Sequence, residues 1–415
     1  MTLQPQRSPI ATLACLIAAT FASPDETIAG DAAETSGTDR YGGTLAIEAE
    51  ATGFFRVEQI GRRWLFVTPD GHGFFALGAN HVGRYLDQQA DELGLLDRFG
   101  GDRSRAAAFL IGQMRAMGLN AGEAYAPLAP ELKTELPYVA NLRFPEGGKY
   151  RFDMFDPALQ DRLTRSVIAQ CAAFRDDPMA IGIAFADLPV WDGRRVAYFE
   201  SLAEDRPGAI ALAESRAAGR SDEAFLAHAA DTLYAVLSDA CERGAPNHLF
   251  FGERFRLRGT PDAVIAAVGP HVDVFCTQAL ILSPQRPPEW QVFQPERYAE
   301  EHDLAGKPLV VIDWAAPFSL GEAFETDRGT LHGERVASEQ AAAWLAEAAA
   351  QPFLVGVFKC QFIGLHGNDR WFDGRARRTY LQDDGRPFDV RTALTRDAHR
   401  QTLRTAYGQT QRDRP

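Results

Sequence analysis

Ala180-Ile-Gly-Ile-Ala-Phe-Ala-Asp-Leu-Pro-Val-Trp191 is an apolar run that ends abruptly in a carboxylate, followed by a proline and a tryptophan. A parallel strand covered on both faces reads as such a run, because neither face has to be polar. A polar side chain at its C-terminal end stands where a β/α barrel keeps its chemistry. The plain structural alternative is a core strand closed by a turn aspartate before proline.

Working outward from this stretch, strand-like runs alternate with helical ones. Strands are expected at 74–80, 119–125, 137–144, 180–185, 248–255, 272–279, 308–315 and 354–362. Helices are expected at 104–117, 157–174, 222–243, 261–268, 295–303, 334–350 and 394–407, the second opened by Asp156 as N-cap and Pro157 as first residue. Eight strands, nearly all followed by helices, predict a parallel sheet closed into an α/β (β/α)8 TIM barrel. A doubly wound open sheet is the alternative, but no Gly-x-Gly-x-x-Gly or P-loop follows any strand. A short β-hairpin, 54–58 with 63–67, should precede the barrel. A small β-rich cap at 370–391 should follow it, and 192–220 should form a charged rim or lid.

The domain plan that results is a signal peptide at 1–22, a disordered linker at 23–50, the barrel with its hairpin at 51–408, and a disordered tail at 409–415. The leader rests on Arg7 followed by an apolar run at 10–22, the length of a signal h-region and too short for a bilayer. A secreted or periplasmic protein is therefore expected. Over the 415 residues, 46% are apolar, enough for one large core. A net charge of −13 argues against nucleic acid or an anionic membrane as partner. Cys171, Cys241, Cys276 and Cys360 are widely spaced in apolar contexts and read as buried free thiols. No metal-binding or cofactor motif is present, so no metal and no cofactor is expected.

A barrel would gather its strand ends on one rim. Strand one offers Asn80 and His81, strand two Asn120 and Glu123, strand four Asp187 with Trp191. Strand five offers Glu253 and Arg254, strand six Gln278, strand seven Asp313 with Trp314. Strand eight offers Lys359 and Gln361, with His366, Asp369 and Trp371 in the loop beyond. Singly, each has a structural explanation as a satisfied polar group or a packed ring. Together they are what a sugar site needs: aromatic faces for pyranose rings, amides for hydroxyls, and carboxylates for the glycosidic bond. The candidate catalytic set is Asp187, Asp313, Glu123 and Glu253. Candidate substrate-binding residues are Asn80, His81, Trp191, Arg254, Gln278, Trp314, Lys359, Gln361, His366 and Trp371.

These residues resemble the β-agarase family of retaining glycoside hydrolases, over most of the chain after Gly53. Trp64-Leu-Phe-Val-Thr-Pro-Asp-Gly-His-Gly-Phe-Phe-Ala-Leu-Gly-Ala-Asn-His81 is similar to that family's entry into strand one. Met117-Gly-Leu-Asn120, Phe152-Asp-Met-Phe-Asp-Pro157, Asp177-Pro-Met-Ala-Ile-Gly182, Asp273-Val-Phe-Cys-Thr-Gln278, Lys307-Pro-Leu-Val-Val-Ile-Asp313, Phe372-Asp-Gly374 and Asp384-Gly-Arg-Pro387 are weaker echoes. The resemblance implies a glycoside hydrolase acting on a poly- or oligosaccharide. Two departures matter. Asp187-Leu188 stands where those agarases carry Asn-Glu, so leucine occupies the general acid/base position. Asp313 stands where they carry the nucleophilic Glu, one methylene longer. The carboxylate pair is therefore expected to be Asp313 with Asp187, Glu123 or Glu253. The alternatives are a glycan-binding barrel without hydrolysis, or a lyase-like enzyme with Lys359 or His81 as base.

Overall fold

The computed structural model describes residues 37–83, 86, 95–122, 129–133, 135–144, 151–185, 190–279, 292–326, 329–364, 374–382 and 384–411. The chain opens with a four-stranded antiparallel sheet. It consists of β1 (Thr44–Glu48), β2 (Arg56–Ile60), β3 (Arg63–Val67) and β4 (His72–Phe74), in the order β1-β4-β3-β2. β1 lies inside the stretch expected to be linker, which is corrected there. Its Thr44 and Glu48 register on Gly73 and His72, and Ile47 is buried at 2% exposure. Composition hid this strand because only one of its five residues is buried.

The main sheet is parallel and curled. It is built from β5 (Ala76–Ala79), β6 (Ala121–Gly122), β7 (Tyr138–Leu142), β8 (Ala180–Phe185), β9 (Leu249–Gly252), β10 (Phe255–Arg256), β11 (Phe275–Gln278), β12 (Leu309–Trp314) and β16 (Leu354–Lys359). The order is β10-β11-β12-β16-β5-β6-β7-β8-β9. The two edges, β9 and β10, are consecutive pieces of one strand, separated by Glu253 and Arg254. A sheet whose edges meet in the sequence in this way is curled on itself, as a TIM-like barrel requires.

Side chains divide cleanly between two cores. Ala76, Val139, Ile181, Phe251, Val274, Val310, Ile312, Val355 and Phe358 pack inside the sheet, together with Phe55, Phe66 and Phe74 of the N-terminal sheet. Leu77, Phe185, Phe250, Phe275, Leu309, Val311, Leu354 and Val357 pack on the other face, against the helices. Strand period two accounts for this, with Leu309 and Val311 on one face and Val310 and Ile312 on the other.

Among the described residues, the helices longer than the single turn Leu95–Arg98 are α1 (Arg103–Ala116), α2 (Pro157–Cys171), α3 (Gly193–Glu200), α4 (Pro207–Ala217), α5 (Asp222–Gly244), α6 (Asp262–Val268), α7 (Pro295–Ala305), α8 (Glu334–Ala350) and α9 (Asp389–Gln411). Some of their starts follow capping chemistry: Asp156 accepts from Ala158 N at 2.9 Å and Ser221 from Ala224 N at 3.2 Å. α7 stops at Gly306, whose φ of 62° suits glycine. The stretch 192–220, expected as a rim, is mostly the helices α3 and α4, and Arg195, expected on a solvated surface, has no exposed area. Residues 409–411, expected in a disordered tail, complete α9. In the region expected as a cap, β17 (Ala376–Arg377) pairs antiparallel with β13 (Phe318–Ser319) from the segment after β12; the hairpin of β14 (Phe324–Thr326) and β15 (Gly329–Leu331) lies in that earlier segment, outside the expected cap. Among the described residues no helix is long and apolar enough to cross a membrane.

Gly78 on β5 shows how tightly the inner core is filled. A Cβ there would lie 2.1 Å from the ring of Phe358 on the neighbouring β16. The substitution Gly78→Ala is therefore expected to destabilise the fold by about 1–3 kcal/mol, read from the urea midpoint at unchanged m-value.

Candidate active site at the strand ends

Asp313 is the centre of the strand-end cluster, and the backbone puts it there. Alternation along β12 would send residue 313 towards the helices and residue 314 into the sheet's interior. The register instead shifts between Ile312 and Trp314, and Asp313 adopts a φ of 75°. A positive φ in a non-glycine residue is costly and persists only when its surroundings impose it. The extra residue swaps the two faces. Asp313 turns to the strand ends, and Trp314 turns outward to stack on Trp344 of α8, with centroids 4.8 Å apart.

β9 does the same with a glycine. Phe251 points inward, Gly252 has a φ of 71°, Glu253 then points outward and Arg254 inward. Arg254 has no exposed surface and places Nη1 3.2 Å from Asp313 Oδ2. Gln278 at the end of β11 donates Nε2 to the same oxygen at 2.8 Å. Asn80, just past β5, donates Nδ2 to Oδ1 at 3.2 Å. The Cys360 thiol, just past β16, donates to the carboxylate as well. Burial alone would raise the Asp313 pKa. The charge of Arg254, the Cys360 hydrogen bond and the nearby His81 and Arg378 outweigh it and hold the carboxyl below its usual range. Asp313 is thus an ionised carboxylate with 16% of its side chain exposed.

Glu253 sits in a different environment. Tyr234 of α5 donates its hydroxyl to Glu253 Oε2 at 2.9 Å and accepts from the Glu253 amide at 3.1 Å. Burial pushes the Glu253 pKa up to about 7, against the opposing charge of Arg195 and the Tyr234 hydrogen bond. Arg195 lies over the Trp191 ring at 4.0 Å and donates Nε to Val190 O at 2.7 Å.

Of the expected site residues, Asn80, His81, Arg254, Gln278 and Asp313 come together. Trp191 lies buried beneath Arg195, and Trp314 lies against α8. The Lys359 ammonium is buried over the Tyr380 ring at 4.5 Å and donates to Arg378 O. Gln361 is fully buried. Glu123, Asp187, His366 and Trp371 lie outside the described residues. Cys360 and Arg378 complete the surroundings of Asp313, and sequence reading passed them over. Cys360 is recognisable only as the residue after strand eight, and Arg378 lies far along the chain. His81, Asp313 and Cys360 each bring one potential ligand atom within 4.8 Å of the others, so the trio has the donors for a metal ion. Two guanidinium groups acting on the same carboxylate oppose adding another cation.

No protein-family profile matches the chain, and no curated protein matches it either. Solved structures do match in fold. An agarase, AgWH50C, superposes with a TM-score of 0.73 at 19% identity, over 89% of this chain and 67% of that one. An exo-beta-agarase gives 0.72 at 15% identity, over 90% of this chain and 68% of that one. A GH2 beta-galacturonidase from Eisenbergiella tayi gives 0.52 at 12%, over 84% and 54%. The fold is that of agarase-like glycoside hydrolases.

The proton on Glu253 has a measurable consequence. Its folded pKa lies above its unfolded one, so the native state binds the extra proton. Stability from this group is complete below the usual carboxylate range and is lost as pH rises to about 7. Glu253→Gln is expected to remove that part of the decline in a series of urea melts between pH 4 and 8. An unchanged slope would mean that Glu253 titrates normally.

Proposed function

We propose that the protein is a glycoside hydrolase acting on a poly- or oligosaccharide, with Asp313 as its ionised catalytic carboxylate. The observation that carries this reading is Asp313 itself, held charged at a positive-φ bulge by groups from four other strand ends. Such an arrangement fixes a carboxylate in place, which a reaction through an oxocarbenium-like transition state needs from a nucleophile or base. Asn80 and His81 are the proposed substrate contacts from strand one, with the Gln278 side-chain oxygen accepting from a sugar hydroxyl. The acid partner is proposed to be Asp187 or Glu123, because Glu253 points outward onto Tyr234 of α5. An aspartate in place of a glutamate retracts the carboxylate by one methylene and widens the gap to its partner. That favours a separation of about 6.5–9.5 Å, room for a water molecule and inversion. A polysaccharide substrate and the apolar leader at 10–22 both fit an exported protein.

A second reading, a glycan-binding barrel without hydrolysis, is favoured by the hydrogen bonds that tie Glu253 to Tyr234. The two are separated by measuring reducing-end release from a panel of polysaccharides and aryl glycosides, with calorimetric glycan binding alongside. Hydrolysis predicts release by the wild type and a loss of about 10²–10⁴-fold in Asp313→Asn, with binding retained and folding checked by circular dichroism. Binding without release by either protein establishes the second reading. Neither release nor binding overturns both.

A further inference from the structure

We propose that Cys171 and Cys241 are a disulfide-forming pair that staples α2 to α5 beneath the strand-four excursion. Both thiols are buried, at 0% and 2% exposure, and each acts on the other's titration across the helix pair, which holds Cys171 low and pushes Cys241 up. The packing around them is close. A Cβ added to Gly244, nearly one turn beyond Cys241 on α5, would lie 2.8 Å from Cys171 Cβ and 3.0 Å from its sulfur. Glycine there lets α2 approach α5 closely at the level of Cys171. The cysteines are free in this structure, and a disulfide between them requires their Cβ atoms to stand about 3.5–4.5 Å apart.

The bond would close a loop of about 70 residues, and a loop of that length gives a large entropic restriction of the unfolded chain. It would enclose β8, α3, α4 and most of α5, the part of the barrel where the helical excursion interrupts simple strand–helix alternation. Burial sets when the bond forms: during folding, before α2 and α5 have packed, while a small disulfide can still reach the sulfurs. The oxidant is of the thiol–disulfide exchange class. One cysteine, as thiolate, attacks the donor's disulfide and releases one thiol. The other cysteine's sulfur then displaces the second. The pair gives up two protons and two electrons, and the donor's S–S bond breaks as the protein's forms.

The test refolds the full chain with reduced and oxidised glutathione, blocks free thiols in denaturant and maps tryptic peptides without reduction. The expected product joins peptide 166–175 to peptide 221–243, lighter by two hydrogen atoms than the separate pair. Wild-type protein should then melt several degrees higher oxidised than reduced, and Cys171→Ala/Cys241→Ala should show no such difference. Recovery of both peptides as blocked free thiols, as separate glutathione adducts, or joined to other cysteines would overturn the proposal. This outcome is independent of any sugar chemistry.

Discussion

A guanidinium with no exposed surface needs a counter-charge within reach, and in this protein Arg254 has Asp313 at 3.2 Å. Removing one partner of such a buried pair strands the other, typically at a cost of about 3–5 kcal/mol. The pair therefore binds the end of strand five to the end of strand seven across the intervening β11. Gln278, at the end of β11, donates to the same carboxylate oxygen as Arg254. Asn80 closes the other side from β5, and Cys360 does so from the end of β16. A single carboxylate thus collects donors from four strand ends, and the mouth of the sheet is organised around its charge.

That geometry exists because two strands break their own alternation. Gly252, two residues before Arg254, and Asp313 itself both take a positive φ. Glycine does this at little cost. An aspartate does so only under constraint, and four donors supply it. If both strands kept period two to their ends, Arg254 and Asp313 would face the helices, and Glu253 and Trp314 would face the mouth. The distortions are what make this a polar site at the top of an otherwise apolar interior.

The same distortions set the limit of what could be read from the sequence. Strand and helix positions followed from apolar periodicity, capping and punctuation, and each expected barrel strand and helix has an observed counterpart near its place, whereas α3, α4 and the short strands β13, β14 and β15 were not expected. Which residues stand at strand ends was also legible, because a strand end is a position along the chain. Which way those residues point was not. Period two assigns the face of a strand residue only while the backbone stays regular, and nothing in Ile312-Asp313-Trp314 announces a bulge. Trp314 therefore read as a sugar platform, whereas it packs against Trp344. Arg195 failed for a different reason. In a charged stretch one arginine reads like another, and only the fold brings Trp191, Phe152 and the charge of Glu253 around this one.

Glu253 and Arg254 are neighbours on a bulge that point in opposite directions, and this ties the excursion after strand four to the centre of the site. Arg254 pins Asp313. Glu253, through Tyr234, is fastened to α5, and its charge acts on Arg195, whose guanidinium lies over Trp191 at the start of the excursion. The backbone between the two side chains cannot rotate to relieve one contact without disturbing the other. The contacts of Arg254 with Asp313 and of Glu253 with α5 thus share two residues of backbone.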